Sequence, residues 1–407
     1  MNYSQLRFAN LLLLSSLALF VTTCARNPVT GSRQVVLISE AQEIGMGGDT
    51  HPMVLAQFGR LDHPELQQFF GDLGQRMARD SHRPDLPWTF TIVDDPIVNA
   101  FAVPGGYIYF TRGILAYMNT EAELAGVLGH EIGHVTARHS VSQISRAQLF
   151  GIGLGVGSIL SPTFGQLSEL AQTGVGLLFL KYSRSDEQQA DELGIEYMHQ
   201  QGYDPRQLSE FFAVFQRLGE ESGRTLPGWL SSHPSPPDRI RDTRALAEEY
   251  LSRNPGRQLN VGRESFLRKL DGIMFGENPR EGFVDGNRFL HPDLRFQFGF
   301  PSNWRVQNSK RSVIVMQPNG TAALQLTLAP EDAGLSPDAR AQQLGQQQGV
   351  RLLDGRRATL HGNPAYLALY EVQAAQGQAL RALVGFIRHR NHLYEFAGLS
   401  PAQAYRQ

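Results

Sequence analysis

The chain has 407 residues, of which 41% are hydrophobic and 19% charged, with Lys+Arg 37 against Asp+Glu 39 and a formal net charge of −2. That much apolar material excludes a disordered chain, and near-neutrality excludes the broad positive field a nucleic-acid binder needs, so no nucleic-acid partner is expected. A single cysteine excludes an internal disulfide framework, and the length sets an expectation of about two or three domains.

Residues Leu11 to Val21 are apolar apart from Ser15 and Ser16. This run is too short for a bilayer span of ~20 residues and has the length of the apolar part of a secretory signal. The only cysteine, Cys24, follows directly. The pattern predicts a signal over residues 1–24, similar to those of bacterial lipoproteins. A lipidated N-terminus would hold an exported, periplasmic domain at a membrane without a spanning helix. Val21-Thr22-Thr23 departs from the small-residue pattern usual before such a cysteine.

Asn27 to Ser39 is a Pro/Gly/Ser-bearing segment. Leu66, Phe69, Phe70, Leu73 and Met77 form a helical stripe, and Trp88 to Asp94 alternates as a strand. Pro104-Gly105-Gly106 breaks the chain before Tyr107-Ile108-Tyr109-Phe110, read as a second strand. Thr120-Glu121-Ala122-Glu123 caps a helix running to about Ser140. Residues 147–180 are Leu- and Gly-rich. Leu149 to Leu160 stops at Ser161-Pro162, so buried or interfacial helices are expected and not a membrane span. A further helix runs from about Ser185 to Gly202.

Asp271 to Pro292 carries Gly272, Gly276, Pro279, Gly282 and Gly286 spaced as in a linker, and a second texture follows. Segments 312–316 and 324–328 flank Pro318-Asn319-Gly320, a hairpin signal. Residues 338–348 suggest a Gln-rich helix, and 364–372, 382–387 and 392–397 read as strands. The expected organisation is a signal (1–24), a first domain (25–270), a linker (271–292) and a smaller α+β, antiparallel-sheet domain (293–407). The last is expected to begin a helix just before Gln407, and so reads as truncated.

His130-Glu131-Ile132-Gly133-His134 is H-E-x-x-H. Composition alone yields this pattern ~0.02 times in such a chain. Residues four apart on a helix lie about 40° apart and ~6 Å along the axis, so both imidazoles can reach one cation. Leu124, Val127, Leu128, Ile132 and Val135 form an apolar stripe with Glu131 near its middle. A carboxylate there is costly unless paired or functional, and a zinc hydrolase needs a base in that place. A third protein ligand is required. Glu187 and Asp191 share a helix face at i,i+4, which reads either as a solvated acidic face or as a ligand with a supporting carboxylate. Glu187 lies 53 residues beyond His134, and that spacing does not choose between the two.

Three blocks occur in order: Asn99-Ala100-Phe101-Ala102-Val103-Pro104-Gly105-Gly106-Tyr107-Ile108-Tyr109, Gly129-His130-Glu131-Ile132-Gly133-His134-Val135, and Glu187-Gln188-Gln189-Ala190-Asp191. Over roughly residues 27–265 the chain resembles the metallopeptidase family of HtpX and the CAAX prenyl endopeptidase, nearest its soluble, exported bacterial branch. The resemblance implies a mainly α, zincin-like (gluzincin) fold with a small sheet. It also implies one Zn2+ per chain held by His130, His134 and Glu187, with Glu131 as general base and Asp191 as a second catalytic or supporting carboxylate. The chain lacks the apolar spans of the membrane-embedded members. Residues 290–407 also show no 34-residue period of the kind found in the branch with a C-terminal repeat array.

Tyr107, Ile108 and Tyr109 are expected to lie beside the zinc helix as an exposed edge strand, to which an extended or unfolded polypeptide adds. An ordinary core strand is the plainer reading. Arg138, His139 and Tyr182 are nominal candidates for an electrophilic group. His233 lies in a proline-rich stretch, Ser231 to Arg239. It reads either as an ordinary histidine or as a gating ligand that takes zinc's open position. The remaining histidines lack ligand spacing. The expected function is zinc-dependent endopeptidase action on misfolded or misassembled envelope proteins. The alternatives are a chaperone-like assembly factor using the cleft for peptide binding, and a binding module in residues 290–407 that carries the main role.

Overall fold

A computed structural model describes residues 24–153, 181–222, 229, 233, 238–309, 312–318, 322–329, 334–373 and 379–402. The apolar leader, most of the Leu/Gly-rich stretch, the Asn319-Gly320 turn and much of the proline-rich segment around His233 lie outside the described residues. The chain divides into two units, residues 1–276 and 277–407. Among the described residues no helix is long and apolar enough to cross a membrane.

In the first unit, β1 (Cys24–Arg26) pairs with β2 (Arg33–Val35), Cys24 opposite Val35. Helix α1 (Glu40–Phe58) follows, opened by a capping box between Ser39 and Gln42. Next comes α2 (Pro64–Arg79), whose Leu66, Phe70, Leu73 and Met77 are buried as the stripe predicts. A three-stranded sheet has the order β3 (Thr89–Val93), β5 (Tyr107–Thr111), β4 (Ala100–Val103). Strand side chains alternate, so its two faces bury different sets. Phe90, Ile92, Ile108 and Phe110 enter the main core, while Val93, Phe101, Val103 and Tyr109 pack with Val54 and Phe58 of α1. Gly47 lets α1 close on the β4–β5 turn, since a Cβ there would lie 2.3 Å from the Pro104 carbonyl.

This order corrects the reading of Tyr107, Ile108 and Tyr109 as an exposed edge. β5 is the central strand, parallel to β3 on one side and antiparallel to β4 on the other. Ile108 and Tyr109 are fully buried. The sequence misleads because Ala100–Val103 is a short run with no polar alternation, so it does not read as a strand. Pro104-Gly105-Gly106 is the hairpin turn that adds it, with φ 87° at Gly105 and 96° at Gly106.

The short helix α3 (Arg112–Leu115) leads to α4 (Glu121–Thr136), which is buried on every side. α4 ends earlier than the predicted Ser140. Arg138 adopts φ 59°, held by its side-chain bonds to Glu43 and the Ile38 carbonyl, and α5 (His139–Gly153) starts in a new direction. Helices α6 (Arg184–Gln200), α7 (Arg206–Ser222), α8 (Arg239–Arg253) and α9 (Arg263–Lys269) complete the unit. α4 and α6 cross closely because glycines line the contact. A Cβ on Gly129 would lie 3.0 Å from Gly194, and one on Gly194 would lie 3.0 Å from the His130 amide nitrogen.

The second unit begins inside the segment read as a linker. A 3₁₀ turn (Pro279–Glu281) and the strands β6 (Phe283–Asp285) and β7 (Arg288–His291) occupy it, and β8 (Phe296–Gly299) completes a meander. Gly and Pro there make the tight turns of short strands, a use that resembles a linker in composition. β9 (Arg305–Asn308), β10 (Ser312–Met316), β11 (Ala323–Leu328), helix α10 (Pro337–Gly345), β12 (Val350–Leu360), β13 (Asn363–Gln373), β14 (Ala379–His389) and β15 (His392–Pro401) follow. The last strands form a seven-stranded antiparallel sheet of order β12-β13-β14-β15-β11-β10-β9. β10 and β11 pair as the hairpin expected. One face of the sheet packs Tyr370, Phe386 and Leu393 against Ala341 of α10. The other packs Val313, Val315, Leu326 and Tyr394 with Phe289 of the meander.

Candidate metal centre

The crossing of α4 and α6 brings together residues far apart in sequence. His130, Glu131 and His134 of α4 are fully buried, and Glu187 and Asp191 of α6 face them from within hydrogen-bonding distance. His233 enters from outside both helices. His130, His134, Glu187 and His233 each offer one donor atom within 4.8 Å of all the others. The separations are 3.0 Å between the two Nε2 atoms of His134 and His130, 3.2 Å from His130 Nε2 to His233 Nδ1, and 2.9 Å from His233 Nδ1 to Glu187 Oε1. Glu187 is 3.5 Å from His134 Nε2 and 3.7 Å from His130 Nε2. A tetrahedron with metal–nitrogen bonds of 2.0–2.1 Å has edges of ~3.4 Å, so these distances suit one small cation.

The outer partners set the protons. His130 Nδ1 donates to Asp191 Oδ1 at 2.8 Å, which leaves Nε2 a lone pair directed inward. His139 Nε2 donates to Gln189 Oε1 at 3.0 Å, so its Nδ1 accepts from His134 Nδ1, also at 3.0 Å. His134 therefore also turns an unprotonated Nε2 inward. Two lone pairs 3.0 Å apart in a dry site repel, and a cation between them resolves it.

Charge gives the same answer. Burial pushes the His130 imidazole down, that of His134 well down, and that of His233 to about 4, so all three are neutral. Three buried carboxylates, Glu131, Glu187 and Asp191, then face one buried guanidinium, Arg239. Burial raises Glu131, and it pushes Glu187 up to about 7 against the pull of His130 and Arg239. Burial would raise Asp191 too, but Arg239 and His130 hold it well below the usual carboxylate range. Arg239 reaches Asp191 through Nε and Nη2 at 2.9 and 2.8 Å, and Glu187 through Nη1 at 2.9 Å. A divalent cation balances the remaining negative charge.

Glu131 Oε1 accepts from the Trp229 indole N–H at 3.3 Å, and its buried Oε2 has no partner. Trp229 stacks on His233 with centroids 4.9 Å apart and planes 19° apart. Its own amide donates to the Val98 carbonyl, just ahead of β4.

The predicted residues His130, Glu131, His134, Glu187, Asp191 and His233 thus converge, while Tyr107, Ile108 and Tyr109 do not. Of the electrophile candidates, Arg138 is spent on Glu43 and Ile38, His139 backs His134, and Tyr182 lies flat on His134 at 3.9 Å with its hydroxyl against Ser140. Sequence reasoning missed Arg239 and Trp229. Their nearness to His233 in the chain is the one signal they carry, because an arginine that braces two buried carboxylates looks in sequence like any surface arginine. Among the described residues no other histidine joins the cluster.

The pattern of Peptidase family M48 matches residues 64–247. The beta-barrel assembly-enhancing protease of Yersinia pestis is 31% identical over 234 residues, 54% of this chain and 47% of the relative. Its namesake in Escherichia coli K12 is 30% identical over 233 residues, with the same coverage of 54% and 47%. The mitochondrial metalloendopeptidase OMA1 of Arabidopsis thaliana is 36% identical over 178 residues, 43% of this chain and 35% of the relative. The chain spans about half the length of the first of these relatives. Among solved structures, Synechocystis PsbP is similar over 30% of this chain and 84% of its own at 14% identity, with a TM-score of 0.24. Residues 64–247, which match the pattern of Peptidase family M48, contain the whole cluster from His130 to His233, in agreement with the metallopeptidase resemblance carried by the three sequence blocks.

Proposed function

We propose that this chain is a zinc-dependent endopeptidase that hydrolyses peptide bonds of misfolded or misassembled cell-envelope proteins. The convergence of His130, His134, Glu187 and His233 on one point, with Glu131 beside it, carries the chemistry. Imidazoles and one carboxylate in a tetrahedral set favour zinc over harder ions. Two ligands from α4 and one from the later α6 agree with a gluzincin layout. When bound, the metal supplies Lewis-acid polarisation of the scissile carbonyl and acidification of the attacking water.

The chain's own groups do the rest. Glu131 takes the water's proton on its unpartnered Oε2 and passes it to the leaving amine. Asp191 keeps the His130 Nδ1 proton in place, and Arg239 holds Asp191 charged while also reaching Glu187. β4 is one of the two outer strands of the sheet, and the one that packs against α4. It, and not Tyr107–Tyr109, is the edge available to an extended substrate.

His233 sits in the corner of the donor set that a hydrolase leaves open. The described form is read as latent, with His233 as the gate. The names of the relatives and the apolar segment before Cys24 support an exported, envelope location, with Cys24 as the proposed anchor.

The test is casein degradation and bound zinc in wild type and Glu131→Gln. Activity should fall at least ~100-fold with zinc content unchanged. A variant that keeps wild-type activity refutes the proposal. Full rescue of a deletion strain by Glu131→Gln would instead favour a peptide-binding, assembly role.

A further inference from the structure

The second unit holds a groove of 600 Å³ that has nothing to do with the metal centre. Its floor is apolar: Phe296 and Phe298 of β8, Leu326 of β11, Ile387 of β14 and Phe396 of β15. A smaller cavity of 260 Å³ adjoins it through Phe296, Leu326 and Tyr394. Volumes of this size suit small ligands or a few side chains.

Three further observations point to what fits. All four residues of β8, Phe296 to Gly299, border the groove, and β8 is the outer strand of its meander. An outer strand offers unpaired N–H and C=O groups, and at Gly299 an added Cβ would meet just one heavy atom, 3.9 Å away, so the backbone is open to approach. Secondly, Tyr394 is only 5% exposed, yet its buried hydroxyl has no partner. His389, whose Nδ1 meets Asn363 Oδ1 at 3.0 Å, likewise has a buried Nε2 with no partner. Buried polar atoms left without partners are costly, so a ligand whose polar end meets them gains by satisfying them. Burial raises the Tyr394 phenol, so it remains a donor. Thirdly, the lining contains Arg288, Arg295 and His361 but no carboxylate. Arg288 pairs with Asp285 at the surface, at 2.9 Å, whereas Arg295 is in no ion pair among the described residues.

We propose that this groove binds the free C-terminal end of an extended, apolar polypeptide, its main chain paired with β8 and its carboxylate held near Tyr394, His389 and Arg295. Apolar side chains fill the floor, as in strand addition generally. A fatty acid would satisfy the floor and the donors but leave the β8 edge unused, so the edge selects the peptide. The groove belongs to residues 277–407 alone and does not require the metal centre to be active.

The experiment uses the full chain as Glu131→Gln, which prevents turnover. The probe is an N-terminally fluorescein-labelled peptide ending Thr-Val-Thr-Ile-Thr-Leu with a free carboxylate, read by anisotropy. Saturable binding is expected, with the C-terminal amide about tenfold weaker because a charge-assisted hydrogen bond is lost. Tyr394→Phe deletes only an unpartnered hydroxyl, and Arg295→Gln changes an exposed side chain. Each should weaken the free acid about three- to tenfold and the amide little. Equal affinity for acid and amide overturns the proposal, as does wild-type affinity in both variants. Displacement of a fluorescent acyl probe by sodium oleate, with no saturable peptide binding, assigns the groove to acyl chains and also overturns it.

Discussion

His233 places Nδ1 2.9 Å from Glu187 Oε1 although 46 residues separate them in sequence. The ring stacks on Trp229, with centroids 4.9 Å apart, and also meets Tyr182 at 5.2 Å. A histidine held there competes with substrate and water for one corner of the cluster. His233→Ala should therefore raise casein cleavage several-fold while zinc stays near one per chain. Unchanged or lower activity with zinc retained would rule out gating.

The Asp191–Arg239 pair predicts an acid response. Burial opposes the Asp191 charge, yet Arg239 and His130 hold its carboxyl below the unfolded value of ~3.9. A depressed carboxyl contributes stability that is present above the unfolded pKa and is lost as pH falls through the native value. Asp191→Asn leaves buried Arg239 with Glu187 as its only carboxylate partner among the described residues and should cost about 3 kcal/mol at neutral pH. Its loss of stability below pH ~4 should be shallower than that of wild type. Urea unfolding at pH 7 and below pH 4 checks both, and parallel acid profiles would contradict the assignment.

Metal removal has a signed pH dependence as well. Without metal, burial pushes Glu187 up to about 7. The native state then keeps a proton that the unfolded chain releases near ~4.3, so stability from this group falls as pH rises from there to about 7. A bound divalent cation would replace that proton. Chelation should lower Tm more at pH 7.5 than at pH 5.5, and added zinc should restore it. At a free zinc concentration 100 times Kd the gain is about 2.7 kcal/mol. Calorimetry that shows no zinc dependence would remove the metal from the account.

Close helix crossing is the mechanical basis of the centre. Gly129→Val places branched carbons where even a Cβ would lie 3.0 Å from Gly194. The expected cost is about 1–3 kcal/mol from overpacking, together with weaker zinc binding because α6 carries Glu187 away from His130 and His134. Zinc affinity equal to wild type in a destabilised but folded Gly129→Val would show that the crossing does not position the ligands.

Much of the centre was legible because local chemistry dictated it. H-E-x-x-H on a capped helix places His130 and His134 on one face whatever surrounds them, and Glu187 and Asp191 share a face by the same 3.6-residue period. The buried stripe of α2 and the strands β13 to β15 were legible for the same reason, that side-chain periodicity mirrors one buried face. Arg239 and Trp229 were not legible, because their importance comes from what they touch across α7, α8 and the cluster.

Sequence alone determined that His130 and His134 share one helix face and that Glu187 and Asp191 share another, since those properties are set within a turn or two of chain. Tertiary structure decided that β4 and not β5 lies at the sheet edge, that Phe283–Asp285 and Arg288–His291 pair as strands inside the expected linker, and that His233 joins the cluster. Each of these depends on partners tens of residues away, where strand pairing and helix crossing, and not local propensity, supply the free energy.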